Sequence, residues 1–306
     1  MNLQQLRYII KITECGSFNR ASELLYISQP ALTKAVRELE TEMGIQIFHR
    51  SGHGVSLTAD GTEFIAYARS VCLQCDIINE RYGQSGAIKK KFGVSTQHYS
   101  FATKAFVETA KDFDMNEYDF AIRETKTREV IEDVSQMKSE IGVLYMSDFN
   151  RAVISKILKN NRLVFSKLID CRAYVYLWKH HPLANLEKIT FAQLENYPCL
   201  SFEQGDENSF YFSEEILSAN DYPQIIHTND RATMLNLMVG LNGYTLCSGI
   251  ICEELNGSDY VAVAFEDEEE EVAAGRMEIG YIVKENMILS HMAELYIGEL
   301  KRYLGV

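Results

Sequence analysis

The alternation of apolar and polar positions is most regular between residues 28 and 43, where it predicts a helix with two unlike faces. Ser28 is a suitable N-cap, and Pro30 falls in the first turn, where a missing backbone N–H costs nothing. One face holds Leu32, Ala35, Val36 and Leu39, and the other holds Gln29, Pro30, Thr33, Lys34 and Arg37. An ordinary surface helix and a helix that reads DNA bases both fit this pattern, because Gln, Lys and Thr side chains can bond to base edges.

The segments on either side of this helix favour the DNA-reading alternative. Apolar spacing predicts a first helix that ends at Gly16 and a second helix, capped by Ser17 or Asn19, that runs through Leu25. After the third helix, residues 45–48 and 55–57 predict two short strands joined by a turn. This order is typical of a helix-turn-helix with a wing. Within the wing, Arg50 at the base and His53 at the tip are candidate DNA contacts, although an exposed turn histidine can also be merely solvated.

A longer helix is predicted from Thr58 to about Tyr82, because Thr58 can cap it and Gly83 can end it. Its apolar positions are spaced by four and three residues over nearly three heptads: Phe64, Ala68, Val71, Cys75, Ile78 and Tyr82. Such a stripe needs a partner, which is either the body of the same chain or a second copy. We expect a dimer, since a protein with one recognition helix gains affinity and half-site spacing by pairing.

Beyond residue 90 the pattern changes to alternating strands and helices, which predicts an open α/β domain. A return of the chain near residues 277–283 and a last helix from His291 to Tyr303 predict two lobes joined by two crossings. We expect a DNA-binding domain at 1–58, a linker helix at 59–87 and an α/β domain at 88–306. Lobe I then covers about 91–163 and 268–306, and lobe II covers about 164–267.

Small polar side chains gather where the predicted strands end, and ligands of open α/β sheets bind at those ends. The first of these loops also opens a helix, so its free backbone N–H groups favour an anion. The candidate ligand contacts are Ser95, Thr96, Gln97, His98, Thr125, Thr127, Ser201, Phe202 and Ser248. Each of them can also be a simple helix cap, and His98 a packing residue.

The run GSFNRASELLYISQPALTKAVRELETEMGIQIFHRSGHGVSLTADG resembles the winged helix-turn-helix of LysR-type transcriptional regulators. The resemblance is close from Met1 to about Ala87 and follows only the order of elements beyond it. It implies that Gln29, Pro30, Thr33 and Lys34 face bases and that Arg50 contacts DNA from the wing. It further implies that the long helix is a dimer interface, that dimers join as tetramers, and that the α/β lobes, like those of periplasmic binding proteins, hold an effector.

Two positions depart from the pattern of that family, and one of them locates an effector contact. Lys34 stands where arginine is frequent, which removes the planar fork that favours guanine. Glu140 replaces a frequent aspartate, and counting back from it makes Thr127 the match for an effector contact.

Charge is distributed unevenly along the 306 residues, whose net charge is −13. Residues 1–90 carry 10 Lys and Arg against 9 Asp and Glu, so the acidity belongs to the remainder of the chain. A nearly neutral DNA-reading domain makes few phosphate contacts, and its affinity then leans on pairing. No apolar run reaches membrane-spanning length and no signal segment precedes the first helix, so we expect a cytoplasmic protein.

Seven cysteines in a chain without an export signal are typical of reduced thiols. Cys72 and Cys75 form a C-x-x-C pair on one helix face, which favours packing over metal or redox chemistry. Cys199 and Cys247 leave open a thiol-based redox-sensing regulator of the same fold.

Two other classes of protein are weighed against a regulator. An enzyme is disfavoured because no nucleophile elbow, phosphate loop or metal spacing appears, and we expect neither cofactor nor metal. A transport solute-binding protein is disfavoured by the N-terminal helices. We therefore expect a homodimeric or homotetrameric regulator that binds double-stranded DNA at two half-sites and responds to a small anion, such as a carboxylate or a sulfur metabolite.

Overall fold

A computed structural model describes residues 1–51, 54–82, 90–113, 118–205, 210–266 and 276–306. The side chains of residues 50, 51, 80–82 and 90 lie outside this description. The chain forms two compact units, one of residues 1–88 with 135–138 and one of residues 89–134 with 139–306. The N-terminal unit contains α1 (Leu3–Cys15), α2 (Phe18–Leu24), α3 (Gln29–Met43), β1 (Phe48–Ser51), β2 (Gly54–Leu57) and α4 (Ala59–Tyr82).

Local capping explains where the first three helices begin and end. In α1, Asn2 and Gln5 each accept the other's backbone N–H, and Gly16 ends the helix in the left-handed region. The Ser28 hydroxyl accepts the Ala31 N–H at 3.4 Å, and Gly44 ends α3 with φ +68. The predicted boundaries of α3 are therefore confirmed.

The wing is a two-stranded antiparallel ribbon in which Arg50 is paired with Val55. Ile45 and Ile47 were expected in the first strand of the wing, but both precede β1. Ile47 packs into the core of the unit instead. Its carbonyl accepts the Thr58 N–H at 3.0 Å, and the Thr58 hydroxyl accepts the Gly61 N–H at 2.8 Å. A Cβ on Gly61 would lie 2.0 Å from the Ile47 oxygen, so only glycine allows α4 to approach the wing this closely.

The first half of α4 completes the core of the N-terminal unit. Ile65, Ala68 and Cys72 are buried beside α1, and Phe64 is partly buried against the same core. Phe64 and Ala68, predicted to face a partner helix, pack instead on the core of their own unit. They can do so because the face of α4 that contacts this core is adjacent to the predicted heptad stripe. The exposed apolar positions on α4 are Tyr67, Val71 and Ile78, whereas Cys75 is half-buried.

The second unit alternates strands and helices as predicted, with additional short elements in its second half. Its elements are β3 (Lys90–Thr96), α5 (Ser100–Lys111), β4 (Tyr118–Glu124), α6 (Thr127–Ser135), β5 (Ile141–Met146), α7 (Arg151–Asn160), β6 (Leu163–Arg172), β7 (Tyr174–Trp178), β8 (Lys188–Ile189), α8 (Phe191–Leu194), β9 (Cys199–Phe202), a 3-10 turn (Phe210–Phe212), β10 (Ile225–Thr228), α9 (Arg231–Leu241), β11 (Thr245–Cys247), α10 (Glu253–Asn256), β12 (Tyr260–Phe265), β13 (Arg276–Lys284) and α11 (His291–Leu304).

These strands form a five-stranded sheet in the order β4-β3-β5-β13-β6 and a four-stranded sheet in the order β11-β7-β12-β8. The parallel pair β9-β10 adjoins the second sheet through a bridge between Cys199 and Tyr244. Strand β6 pairs along its length with β13, so the chain crosses between sheets at Ala173 and not at residue 163. The expected boundary was too early because β6 is a ten-residue strand that continues the first sheet.

Packing against the first sheet fixes the last helix. The Glu140 carboxylate accepts the Ser290 N–H and hydroxyl, both at 2.7 Å, at the start of α11. Tyr296 is fully buried and donates to the Ala102 carbonyl of α5. Among the described residues, no helix is long and apolar enough to cross a bilayer.

Replacing Gly61 with alanine should destabilise the N-terminal unit by roughly 1–3 kcal/mol or more, because the new Cβ overlaps backbone atoms of Ile47 that cannot move away. Thermal unfolding, monitored by circular dichroism, measures the change in stability. The matched control is Gly298→Ala in α11, where no atom lies within 4 Å of the new Cβ and helix propensity should keep or slightly raise stability. Equal midpoints for the two variants would contradict the close approach.

Candidate functional site

The polar face of α3 is a candidate recognition surface. Pro30, Lys34 and Arg37 are exposed, while Gln29 and Thr33 are half-buried. The Gln29 amide donates to the Thr33 hydroxyl at 2.9 Å, so these two side chains are held side by side at the N-terminal half of the helix. All five predicted residues line one open concavity, and the structure thus brings them together.

Charge divides this surface along the helix. Lys34 lies in its N-terminal half and Arg37 at its middle, whereas Glu38 and Glu42 follow toward its C-terminal end. Lys34 approaches Glu38 at 3.9 Å, and Glu42 pairs with the N-terminal amine of Met1. Because phosphates are repelled by the acidic end, only the N-terminal half and the middle of the helix are suited to approach a nucleic acid.

Three further residues bear on this surface. Tyr26, in the turn before α3, is 94% exposed and has a φ of +53°. The sequence analysis did not identify this residue, although a bulky aromatic residue in the turn of a helix-turn-helix could have indicated it. A phenol at such a turn can donate to a phosphate. Arg50 lies in β1, but its side chain and the whole of His53 fall outside the described part of the chain.

At the end of β3, the side chains predicted to face a ligand are turned inward. Ser95, Thr96 and Gln97 are fully buried. The Ser95 hydroxyl donates to Asp133 at 2.6 Å and lies 2.8 Å from the Ser139 hydroxyl, and the Thr96 hydroxyl donates to a backbone carbonyl. These groups therefore fix the loop and do not line a cavity.

Gln97 is the centre of a second buried network. Its amide donates to the Thr127 hydroxyl at 2.5 Å, and its carbonyl accepts the Tyr145 N–H at 3.0 Å and the Tyr99 hydroxyl at 3.1 Å. Thr127 is buried and donates on to the Phe212 carbonyl at 2.7 Å. Thr125 donates within its own turn to Glu129. Thr125 and Thr127, both predicted to line a ligand site, thus bond to partners within the protein in this structure.

His98 has the surroundings of a site residue. Its ring stacks on Phe202 at 3.8 Å between centroids, and both its backbone N–H and its Nδ1 contact one carboxylate oxygen of Glu214, at 2.8 and 2.9 Å. The side chains of His98 and Glu214 are 6% and 5% exposed. Burial lowers the pKa of His98, but the hydrogen bond and charge of Glu214 outweigh it, and the pKa is raised overall.

The neighbouring carboxylate, Glu215, is directed elsewhere. It accepts the Ser201 hydroxyl at 2.8 Å and the Phe202 N–H at 2.7 Å. Burial and the charge of Glu214 raise the pKa of Glu215 to about 7, and these hydrogen bonds only partly oppose the rise. Ser201 is therefore a partner of Glu215 and does not line the cavity described next.

A cavity of about 90 Å³ lies between the start of α5, strands β7 and β11, and helix α9. Most of its wall is apolar, and the Tyr176 hydroxyl beside it makes no hydrogen bond of ordinary geometry among the described residues, although Asn256 is close. One water needs roughly 10–15 Å³ of such space, so the cavity holds a small molecule only. Its lining includes His98, Tyr176, Phe202, Glu214, Glu215, Arg231, Met234, Leu235, Leu246, Ser248, Ile250, Asn256 and Met277.

Of the nine predicted ligand contacts, His98, Phe202 and Ser248 line this cavity. Sequence reasoning missed Tyr176, Arg231 and the two adjacent carboxylates at 214 and 215. Arg231 begins α9 and pairs with Glu124 from the end of β4. Arg231 could have been identified from its position directly after the helix cap Asp230. Glu214 and Glu215 could not, because an acidic pair within a polar stretch of sequence gives no indication of burial.

Comparison with known proteins places both units in one family. Residues 3–62 match the family described as bacterial regulatory helix-turn-helix protein, lysR family, and residues 115–305 match the LysR substrate binding domain. The chain is 26% identical over 208 residues to the uncharacterised regulator YnfL of Escherichia coli, covering 66% of each chain. It is 24% identical to the uncharacterised regulator YvbU of Bacillus subtilis, covering 85% of this chain and 89% of that one.

Among solved structures, full-length OxyR C199D from Pseudomonas aeruginosa superposes with a TM-score of 0.69 at 18% identity, covering 98% of this chain and 95% of that one. At this identity the likeness is one of fold. The two family matches together span most of the chain, and the structure supplies the winged helix-turn-helix and the α/β unit that they require. The chain belongs to the LysR family, as a DNA-binding transcriptional regulator with an effector-binding domain and not an enzyme.

Proposed function

We propose that this regulator reads its operator with the N-terminal half and the middle of α3, through Gln29, Pro30, Thr33, Lys34 and Arg37. The observation that carries the proposal is the exposed, cationic end of this helix within a winged helix-turn-helix. Gln29 can bond an adenine edge in the major groove and Lys34 a guanine edge, while Tyr26 and Arg50 are suited to phosphate contacts. His53 remains a candidate wing contact.

The effector, in this proposal, occupies the cavity beside His98 and Phe202. Regulators of this family bind small-molecule effectors, and this partly open cavity combines a mainly apolar surface with several polar side chains that can orient a ligand. The small volume favours a compact molecule, and Tyr176 offers it a hydroxyl. The carboxylate or sulfur metabolite expected from the sequence is not proposed, because the His98 N–H, a donor suited to an anion, already binds Glu214.

The proposed assembly is a homodimer through α4, joined further as a homotetramer. Family members form oligomers, and Tyr67, Val71 and Ile78 leave an apolar stripe exposed on α4 at 48%, 43% and 58%. Two recognition helices held at a fixed spacing read two half-sites. An effector that favours one arrangement of the α/β unit then changes that spacing by its differential affinity for the two arrangements.

A thiol switch is not proposed, although the superposed OxyR shares the fold. Burial raises the pKa of the Cys199 thiol and of the Cys247 thiol to about 12 each. A thiol that stays protonated at neutral pH is a slow nucleophile toward peroxide, even at Cys247, which is only half-buried and lines the cavity beside His98. The two cysteines therefore behave as packing residues.

Gln29→Ala should weaken binding to DNA sequences that the wild type selects from a random pool by roughly 5- to 150-fold, since each good base contact contributes about 1–3 kcal/mol of discrimination. Binding to unrelated DNA should stay unchanged, because phosphate contacts supply it. Fluorescence anisotropy at fixed salt measures both. Gln4→Ala, an exposed glutamine of α1, is the control. Unchanged selectivity in Gln29→Ala would remove α3 as the reading element.

Val71→Glu combined with Ile78→Glu should shift the protein from oligomer to smaller species, because two charges are then placed on the exposed stripe of α4. Light scattering after size-exclusion chromatography reports the mass. The matched control is Leu24→Glu, an equally exposed apolar position of α2. If the double variant keeps the wild-type mass, the dimer forms elsewhere.

Hydrogen peroxide should leave operator affinity and selectivity unchanged, because Cys199 and Cys247 are protonated at neutral pH. The measurement is operator binding before and after peroxide treatment, with free thiols counted in the same samples. A change in affinity that disappears in Cys199→Ser would revive the redox alternative.

A further inference from the structure

The Glu214 carboxylate is bound within the protein in the way that a ligand anion would be bound. One oxygen accepts the His98 backbone N–H at 2.8 Å and contacts the His98 ring at 2.9 Å. The other oxygen accepts the Gln204 amide at 3.2 Å. Only 5% of the side chain is exposed. A backbone N–H, an imidazole ring nitrogen and a side-chain amide together form a donor set suited to a carboxylate.

This carboxylate lies where the fold offers an anion site. His98 lies between the carboxyl end of β3 and the start of α5 at Ser100, and its N–H donates to Glu214. Ligands of open α/β sheets bind at such ends, and negative groups are favoured there. Glu214 reaches this position from the segment between β9 and β10, which belongs to the other side of the cleft.

The segment that carries Glu214 is bonded to the start of α6 and to strand β5 of the first sheet. At one end, Gln204 accepts the Thr127 N–H at 3.2 Å. At the other end, the Phe212 carbonyl accepts the Thr127 hydroxyl at 2.7 Å, and the Glu215 carbonyl accepts the Tyr145 hydroxyl at 3.2 Å. The hydrogen bonds of Glu214 are thus among several that connect the two sides of the cleft.

We propose that Glu214 is a built-in ligand: its carboxylate takes the anion position of the cleft and holds the α/β unit in a closed arrangement without any external anion. This inference rests on the proposed function of the cleft as the regulatory site. It also defines the effector class, because the His98 ring and the Arg231 guanidinium, the two groups of the cavity suited to bind an anion, already pair with Glu214 and Glu124. The remaining space therefore suits a small uncharged molecule.

The test is rescue of a truncated variant by a free carboxylate. Glu214→Ala removes the atoms that acetate can replace, and acetamide is a neutral molecule of the same shape. The single tryptophan, Trp178 in β7, reports unfolding of the α/β unit in the full-length protein by its fluorescence. The control variant is Glu203→Ala, an exposed glutamate at the end of β9. Sodium chloride keeps the ionic strength equal throughout.

We expect Glu214→Ala to unfold roughly 3–10 °C below the wild type and acetate to restore at least half of that difference, by mass action on the folded state. Acetamide should restore little, and the midpoints of the wild type and of Glu203→Ala should not respond to acetate. An equal acetate response in the wild type, or none in Glu214→Ala, would overturn the proposal.

A second variant keeps the test decisive if Glu214→Ala does not fold with or without acetate. Glu214→Gln preserves the shape and removes the charge, so the pKa of His98 measured by NMR should fall relative to the wild type. An unchanged His98 pKa would reject the built-in ligand. Operator binding by the wild type is measured separately, so that a failure of the proposed DNA reading is distinguished from a failure of this inference.

Discussion

A carboxylate removed from water must be paired, and the arrangement of the α/β unit depends on how Glu214 meets that requirement. Desolvation of such an ion costs several kcal/mol, which only good hydrogen bonds and an opposite charge offset. His98 supplies both, and its pKa is raised because Glu214 outweighs the effect of burial. The stacking of His98 on Phe202 then fixes the ring at the cavity wall. The contact between His98 and Glu214 therefore forms one polar part of the cavity wall.

The adjacent acid makes this segment unusual. Glu214 and Glu215 are both buried, yet each turns to a different set of donors. A second negative charge beside Glu214 is disfavoured, and the pKa of Glu215 is accordingly raised to about 7. The two carboxyl groups of this segment thus receive hydrogen bonds from both sides of the cleft. The conformation of the segment therefore depends on closure of the cleft. A molecule that enters the cavity contacts this segment directly and is therefore well placed to change it.

The N-terminal unit is governed by a different constraint, the close approach of α4 to the wing at Gly61. This contact and the burial of Ile65 and Ala68 make the base of α4 part of the DNA-binding unit. Its outer stripe stays exposed for a partner. Because residues 1–90 are nearly neutral, phosphate attraction is modest, and in the proposed dimer the pairing through α4 adds the affinity that charge does not supply.

The sequence by itself determined the elements and the family, because those depend on signals within a few residues: the Ser28 cap, the Gly16 and Gly44 ends, and the two faces of α3. It also located His98 and Phe202 at strand ends. Tertiary structure alone decided that Ser95 to Gln97 turn inward, that β6 stays in the first sheet, and that Glu214 fills the anion position. His98 and Glu214 are 116 residues apart in the sequence. Glutamate is usually exposed to solvent, and no local sequence pattern indicates that this one is buried against so distant a partner.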